Sequence, residues 1–226
     1  MRAKLFKVAV FVLIMSVSNT AAWADPYLFG FTFHEVVSLI TNQGTFLTST
    51  NQFSPGTNNS GFWSATEPNF SDNDNYVVGT IGPNVLNDFF TFFIPATVGT
   101  ITSATLSAPR GRGEQGPNTT GVPFLYSLFD VSTPAATLNA RNGTSAAVFN
   151  DLGSGVLYGS ISVTNVATPD PLVISLDPSA VSAINSSRGE FFSIGGTLSA
   201  VPEPSSLALV CLGLAGLGIA RRFRKV

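Results

Sequence analysis

The stretch Asp88-Phe89-Phe90-Thr91-Phe92-Phe93-Ile94 decides the fold. Successive side chains of a strand point to opposite faces, and here both parities are aromatic or aliphatic, so the segment reads as a central strand covered by a second sheet or a loop. Working outward, Tyr27 to Val37 alternates with period two: Tyr27, Phe29, Phe31 and Phe33 share one parity and Gly30, Thr32 and His34 the other. Thr45–Ser49, Tyr76–Ile81, Thr100–Ala108, Val122–Val131, Gly155–Thr164, Pro171–Leu176 and Phe191–Ala200 are further strand candidates, nearly all separated by turn residues. Short strands at this spacing predict an all-β domain, an antiparallel two-sheet β-sandwich of jelly-roll or Greek-key type. One short helix interrupts them: Asp177 can cap it, Pro178 suits its first position, Val181 and Ile184 face inward, and Gly189 can end it. The segments 51–74 and 109–121 are rich in Asn, Gly, Pro and Ser without period and read as long loops.

Both ends of the chain fall outside this pattern. Arg2, Lys4 and Lys7 precede the apolar run Val8–Val17, and Ala22-Trp23-Ala24 offers a small-x-small cleavage site, so residues 1–24 read as a signal peptide for Sec-type export. At the other end, Pro202-Glu203-Pro204 breaks any regular structure, an apolar stretch over 205–220 follows, and Arg221, Arg222, Arg224 and Lys225 form a basic tail. Leu207–Ala220 spans only about 21 Å as a helix, short for a stable membrane crossing, and the cations hold the far end on the cytoplasmic side. This three-part segment, 201–226, resembles the PEP-CTERM sorting signal that exosortase-type membrane enzymes read in exopolysaccharide-producing Gram-negative bacteria. The resemblance implies a transient stay in the inner membrane, processing near Pro-Glu-Pro, and passage of the body to the cell surface or matrix. A plain C-terminal anchor is the competing reading, disfavoured by the shortness of the span.

Between the ends lies one domain's worth of chain, residues 25–200. It holds 12 acids, four arginines and no lysine, a balance of −8, while the single cysteine, Cys211, lies in the sorting segment. Phosphate recognition needs clustered cations, so nucleic acid is excluded as a partner. A body without cysteine that is exported must be stabilised by packing, with a bound metal ion as the available supplement. Segments such as Phe149-Asn150-Asp151-Leu152-Gly153-Ser154-Gly155 and Ile194-Gly195-Gly196 are similar to those of other PEP-CTERM proteins with β-sandwich bodies.

Candidate chemistry is sparse. His34 is the sole histidine, and its neighbour Glu35 points to the opposite strand face, so they form no local base and orienter. Glu67, Glu114, Asp72 and Asp74 could form a glycosidase pair only if two long loops converge. Asp72 and Asp74, alternating in Ser71-Asp72-Asn73-Asp74-Asn75, supply hard oxygens of the kind Ca²⁺ prefers, although Tyr76 rules out an EF-hand loop and Asx turns account for the same pattern. Trp63 and Tyr76, with Phe62, are candidates for a sugar-stacking platform, and core filling is the alternative. Asn58, Asn69, Asn118, Asn142 and Asn185 stand in Asn-x-Ser/Thr form and read as loop chemistry.

These readings converge on an exported, non-enzymatic protein with no required cofactor, sorted to the cell surface or exopolysaccharide matrix as a structural or adhesive component. A carbohydrate-binding module, Ca²⁺-assisted in one form, is the alternative, and a secreted hydrolase the third. Exopolysaccharide is the expected surrounding partner.

Overall fold

The computed structural model describes residues 27–30, 36–48, 59–66, 76–81, 83–109, 123–140, 144–163 and 171–200. Within them the chain is mostly β, in two antiparallel sheets with three short helices. The strands are β1 (Tyr27–Gly30), β2 (Ser38–Thr41), β3 (Gly44–Leu47), β4 (Ser60–Ser64), β5 (Tyr76–Ile81), β6 (Asn84–Phe93), β7 (Ala104–Ala108), β8 (Phe124–Asp130), β9 (Leu157–Val163), β10 (Leu172–Ser175) and β11 (Phe191–Ala200). The helices are α1 (Ala135–Ala140), α2 (Ala146–Asp151) and α3 (Pro178–Ser186). The larger sheet runs β1-β5-β6-β11-β8-β9, with β4 also paired to β6, and the smaller runs β10-β7-β2-β3.

The aromatic run is the hub, as its pattern predicts. β6 pairs with β5 and β4 on one side and with β11 on the other. Its two parities enter different cores. Phe90 and Phe92 join Tyr126, Leu128, Phe192 and Ile194 in a cluster that also contains Leu39, Leu106, Leu172 and Ile174 of the smaller sheet. Phe89, on the opposite face, packs with Trp63, Leu138 of α1, Val148 of α2 and Leu152. The second face of β6 is therefore covered by two helices rather than by a sheet or loop.

α3 forms where Asp177 and Pro178 predict it. Asp177, extended at φ −76° and ψ 172°, accepts from the Ala180 amide and the Ser179 hydroxyl, and Ala180 and Ile184 turn into the core. Val181 is half-buried, and Gly189, at φ 86°, follows the last turn.

The expectation of a single helix in the body is corrected to three among the described residues. Ala146–Asp151 is capped by Ser145, whose hydroxyl accepts from the Val148 amide. Ala135–Ala140 begins directly after Pro134. Each has only six residues, fewer than the window in which a helical period stands out, so the local signals were the Ser145 cap of one and the Pro134 before the other. β4 lies inside the segment expected to be loop, and residues 100–103, expected as strand, precede β7 without joining it.

Candidate functional site

The structure corrects the sugar-platform expectation for Trp63 and Tyr76. Trp63 is 3% exposed, its ring packed under α1 and α2, and its indole N–H donates to the Leu138 carbonyl at 3.2 Å. Tyr76 is fully buried, edge-on to Phe90 with ring centres 5.1 Å apart, and its hydroxyl donates to the Pro109 carbonyl at 2.5 Å. The two rings belong to different cores and neither offers a face to a ligand. Large rings satisfy their one polar atom internally and fill space, which is the commoner use of such residues.

The feature that pattern reading missed is an acid inside the inter-sheet core. Asp88 shares its parity with Phe90 and Phe92, and register places it opposite Phe62 on one side and Gly196 on the other. It is fully buried. Its Oδ2 accepts from the Tyr126 hydroxyl at 2.8 Å, while Oδ1 has no hydrogen-bonding partner. Tyr126 stands on β8 and Asp88 on β6, so the bond passes over β11, the strand between them.

The crossing requires Gly196. A Cβ there would lie 2.1 Å from Asp88 Oδ1 and 2.7 Å from the Tyr126 ring and hydroxyl. Burial pushes the Asp88 carboxyl up to about 7, against the lowering effect of the Tyr126 hydrogen bond. Burial, with the carboxylate beside it, also raises Tyr126 well above the ordinary phenol range. The signal available in the sequence was an acid on the parity of the core phenylalanines together with a Gly-Gly pair inside a strand pattern.

The clasp marks a change in how β11 is held. Phe191–Gly196 pair with β6 and Ile194–Ala200 pair with β8, so only Ile194–Gly196 has partners on both sides. Beyond Gly196 the strand is held by β8 alone, ending at Ala200 opposite Phe124.

Other polar groups are occupied in holding segments together. Asp151 accepts from the Ser132 and Thr133 hydroxyls and the Thr133 amide. Partial burial tends to raise its carboxyl, but these bonds prevail and hold it below the usual range. Tyr158 donates to Asp130 at 2.7 Å and stacks on Phe192, and burial followed by that bond raises its phenol. Asn185 lies in α3, not in a loop, and its amide exchanges hydrogen bonds with both backbone groups of Ile101.

The remaining sequence candidates lie outside the described residues: His34, Glu35, Glu67, Glu114, the calcium candidates Asp72 and Asp74, the signal-cleavage residues Ala22 and Ala24, Pro202, Glu203 and Pro204, and Arg221, Arg222, Arg224 and Lys225. Among the described residues, no three metal-ligating side chains converge, and no helix is long and apolar enough to cross a membrane.

Comparison with known proteins gives one match. No curated protein and no solved structure matches the chain. Residues 200–225 match the family model described as the PEP-CTERM protein-sorting motif, which begins on the last residue of β11 and covers the Pro-Glu-Pro, apolar and basic parts in order. That motif implies export, a membrane-anchored intermediate and processing by an exosortase. The C-terminal segment of the chain is thus a PEP-CTERM sorting motif.

Proposed function

We propose that the chain is a non-enzymatic component of the cell surface or exopolysaccharide matrix, carried there as the folded body of an exosortase substrate. In this reading residues 1–24 are a signal peptide removed after Ala24. The two sheets form a sandwich of jelly-roll or Greek-key type, and residues 201–226 hold the body at the inner membrane until processing. The apolar part is too short for a durable anchor, which suits a segment meant to be discarded.

The observation that carries the proposal is the join between body and tag. The sorting motif starts at residue 200, where a central strand of the larger sheet ends, so processing near Pro-Glu-Pro releases a body with every described strand intact. A structural or adhesive role is supported by the investment of the aromatic residues in two cores and by the Ser-, Thr- and Asn-rich, lysine-free body, which suits a polysaccharide surrounding.

The test is processing in the native cell. Glu203→Ala, or loss of the exosortase, should leave a larger, membrane-held form where the wild type yields a shorter, released one. Equal size and location in all three strains would refute the proposal.

A further inference from the structure

The join poses a geometric problem. One recurring way to read a short peptide motif is to take several residues in extended form and pair with their free backbone edge. Only Val201 separates Pro202 from the last residue of β11, about 3.3 Å of chain per residue. With β11 paired through Ala200, the chain between the sheet and the motif is a single residue long.

The register of β11 contains a solution. Its last four residues, Thr197–Ala200, pair with β8 and not with β6. Ser199 is exposed and Thr197 half-buried, and of the residues between Thr197 and Ser199 only the half-buried Leu198 packs against the main core, so peeling uncovers one partly buried aliphatic side chain there. Immediately before them the strand changes character. Ile194 is fully buried, Gly195 abuts the Leu152 backbone so closely that a Cβ would lie 2.4 Å from its carbonyl oxygen, and Gly196 lies beneath the Asp88–Tyr126 bond. Strand ends with one ladder open at far lower free energy than a doubly paired, buried centre.

We propose that Thr197–Ala200 is a release lead: it peels from β8 to hand Pro202-Glu203-Pro204 to the processing enzyme as an extended segment, while the Asp88–Tyr126 clasp over Gly196 stops the peeling there and keeps the body folded. The partner is the membrane enzyme of the function proposed above, on which this inference rests. The surface it engages is the peeled backbone from Thr197 onward, not a side-chain pocket. The lead lengthens the accessible peptide from one residue before the motif to five, enough for a short added strand in the enzyme's groove.

The test pins the lead in place. Ser199 and Leu125 are register partners, and directly opposed antiparallel residues have Cα atoms about 4.5–5.5 Å apart, within the range of a disulfide. The body has no cysteine of its own, and Cys211 of the sorting segment is changed to Ser in every form compared, so the introduced pair has no competing thiol. In pulse-chase of the full chain in cells carrying the exosortase, the Ser199→Cys, Leu125→Cys double variant should be processed about tenfold more slowly than wild type when oxidised, and at the wild-type rate after reduction. Inserting four Gly/Ser residues between Ala200 and Val201 should accelerate processing of the wild type and restore the oxidised double variant, and this insertion touches no packed residue. Wild-type processing of the oxidised double variant, or no acceleration by the insertion, would overturn the proposal. Glu203→Ala in the same assay separates the two levels: if it is processed normally, the exosortase reading itself fails, whereas if it is blocked while the pinned lead is processed freely, only the lead is wrong.

Discussion

Tyr126 and Asp88 stand on strands that are not neighbours, and their 2.8 Å hydrogen bond crosses β11 above Gly196. Three strands are thereby fastened at one point by one donor, one acid and the absence of one methyl group. An acid with a single donor, buried among phenylalanines, costs more when ionised than when protonated.

Stability should therefore fall as pH rises from the acid range toward neutrality. The Asp88 carboxyl moves from its ordinary 3.8 to about 7 in the folded state, so between those values the folded protein holds a proton that the unfolded chain has released. Folding stability then drops by about 1.4 kcal/mol per pH unit until the folded group itself ionises, and levels off above it. Melting temperature of the purified protein should decline from pH 5 to pH 7. Asp88→Asn keeps an acceptor for Tyr126 and removes the titration, so its profile over that range should be flatter. An equal slope in both proteins would show that another group titrates.

Gly196→Ala should destabilise the body by roughly 1–3 kcal/mol or more, because the new methyl overlaps both members of the clasp. Combining it with Asp88→Ala should recover part of the loss, since the nearest obstructing atom is then gone. Thermal melts of the single and double variants read this coupling, and strictly additive losses would count against the contact.

Trp63→Ala should behave as a core truncation, costing about 3–5 kcal/mol and loosening α1 and α2 together, because Trp63 joins Leu138 and Val148 in one cluster. Hydrogen exchange should rise in both helices. A variant of unchanged stability would contradict the burial described here.

Asp177→Ala should cost about 1 kcal/mol through loss of the α3 cap, and Asp177→Asn much less, as asparagine caps nearly as well. Urea midpoints at pH 7 distinguish the two substitutions.

The elements legible in the sequence were those whose signal is local. Tyr76–Ile81 and Phe191–Ala200 match strand for strand, the double-sided aromatic run is the hub of the larger sheet, and Asp177-Pro178 begins a helix. The Pro-Glu-Pro, apolar and basic order at the carboxy end agrees with the family match because each part acts through its own chemistry. What was not legible depends on parity and on distant partners. Asp88 looks like a strand-edge acid until register sets it beside Phe90 on the core side, and the pairing to Tyr126 joins residues 38 positions apart. Trp63 looks like a platform until two six-residue helices, too short to show a period, cover it. A glycine pair in a strand shows that something lies close without saying what, and here it is the Leu152 backbone on one face and the clasp on the other.

Intact-mass measurement of the protein recovered from the mature envelope of the native organism tests the central claim most directly. The account predicts a species that begins near Asp25, ends in the vicinity of Pro202-Glu203-Pro204 and lacks the apolar segment and Arg221, Arg222, Arg224 and Lys225. An abundant species that retains the carboxy-terminal residues through Val226 would contradict it.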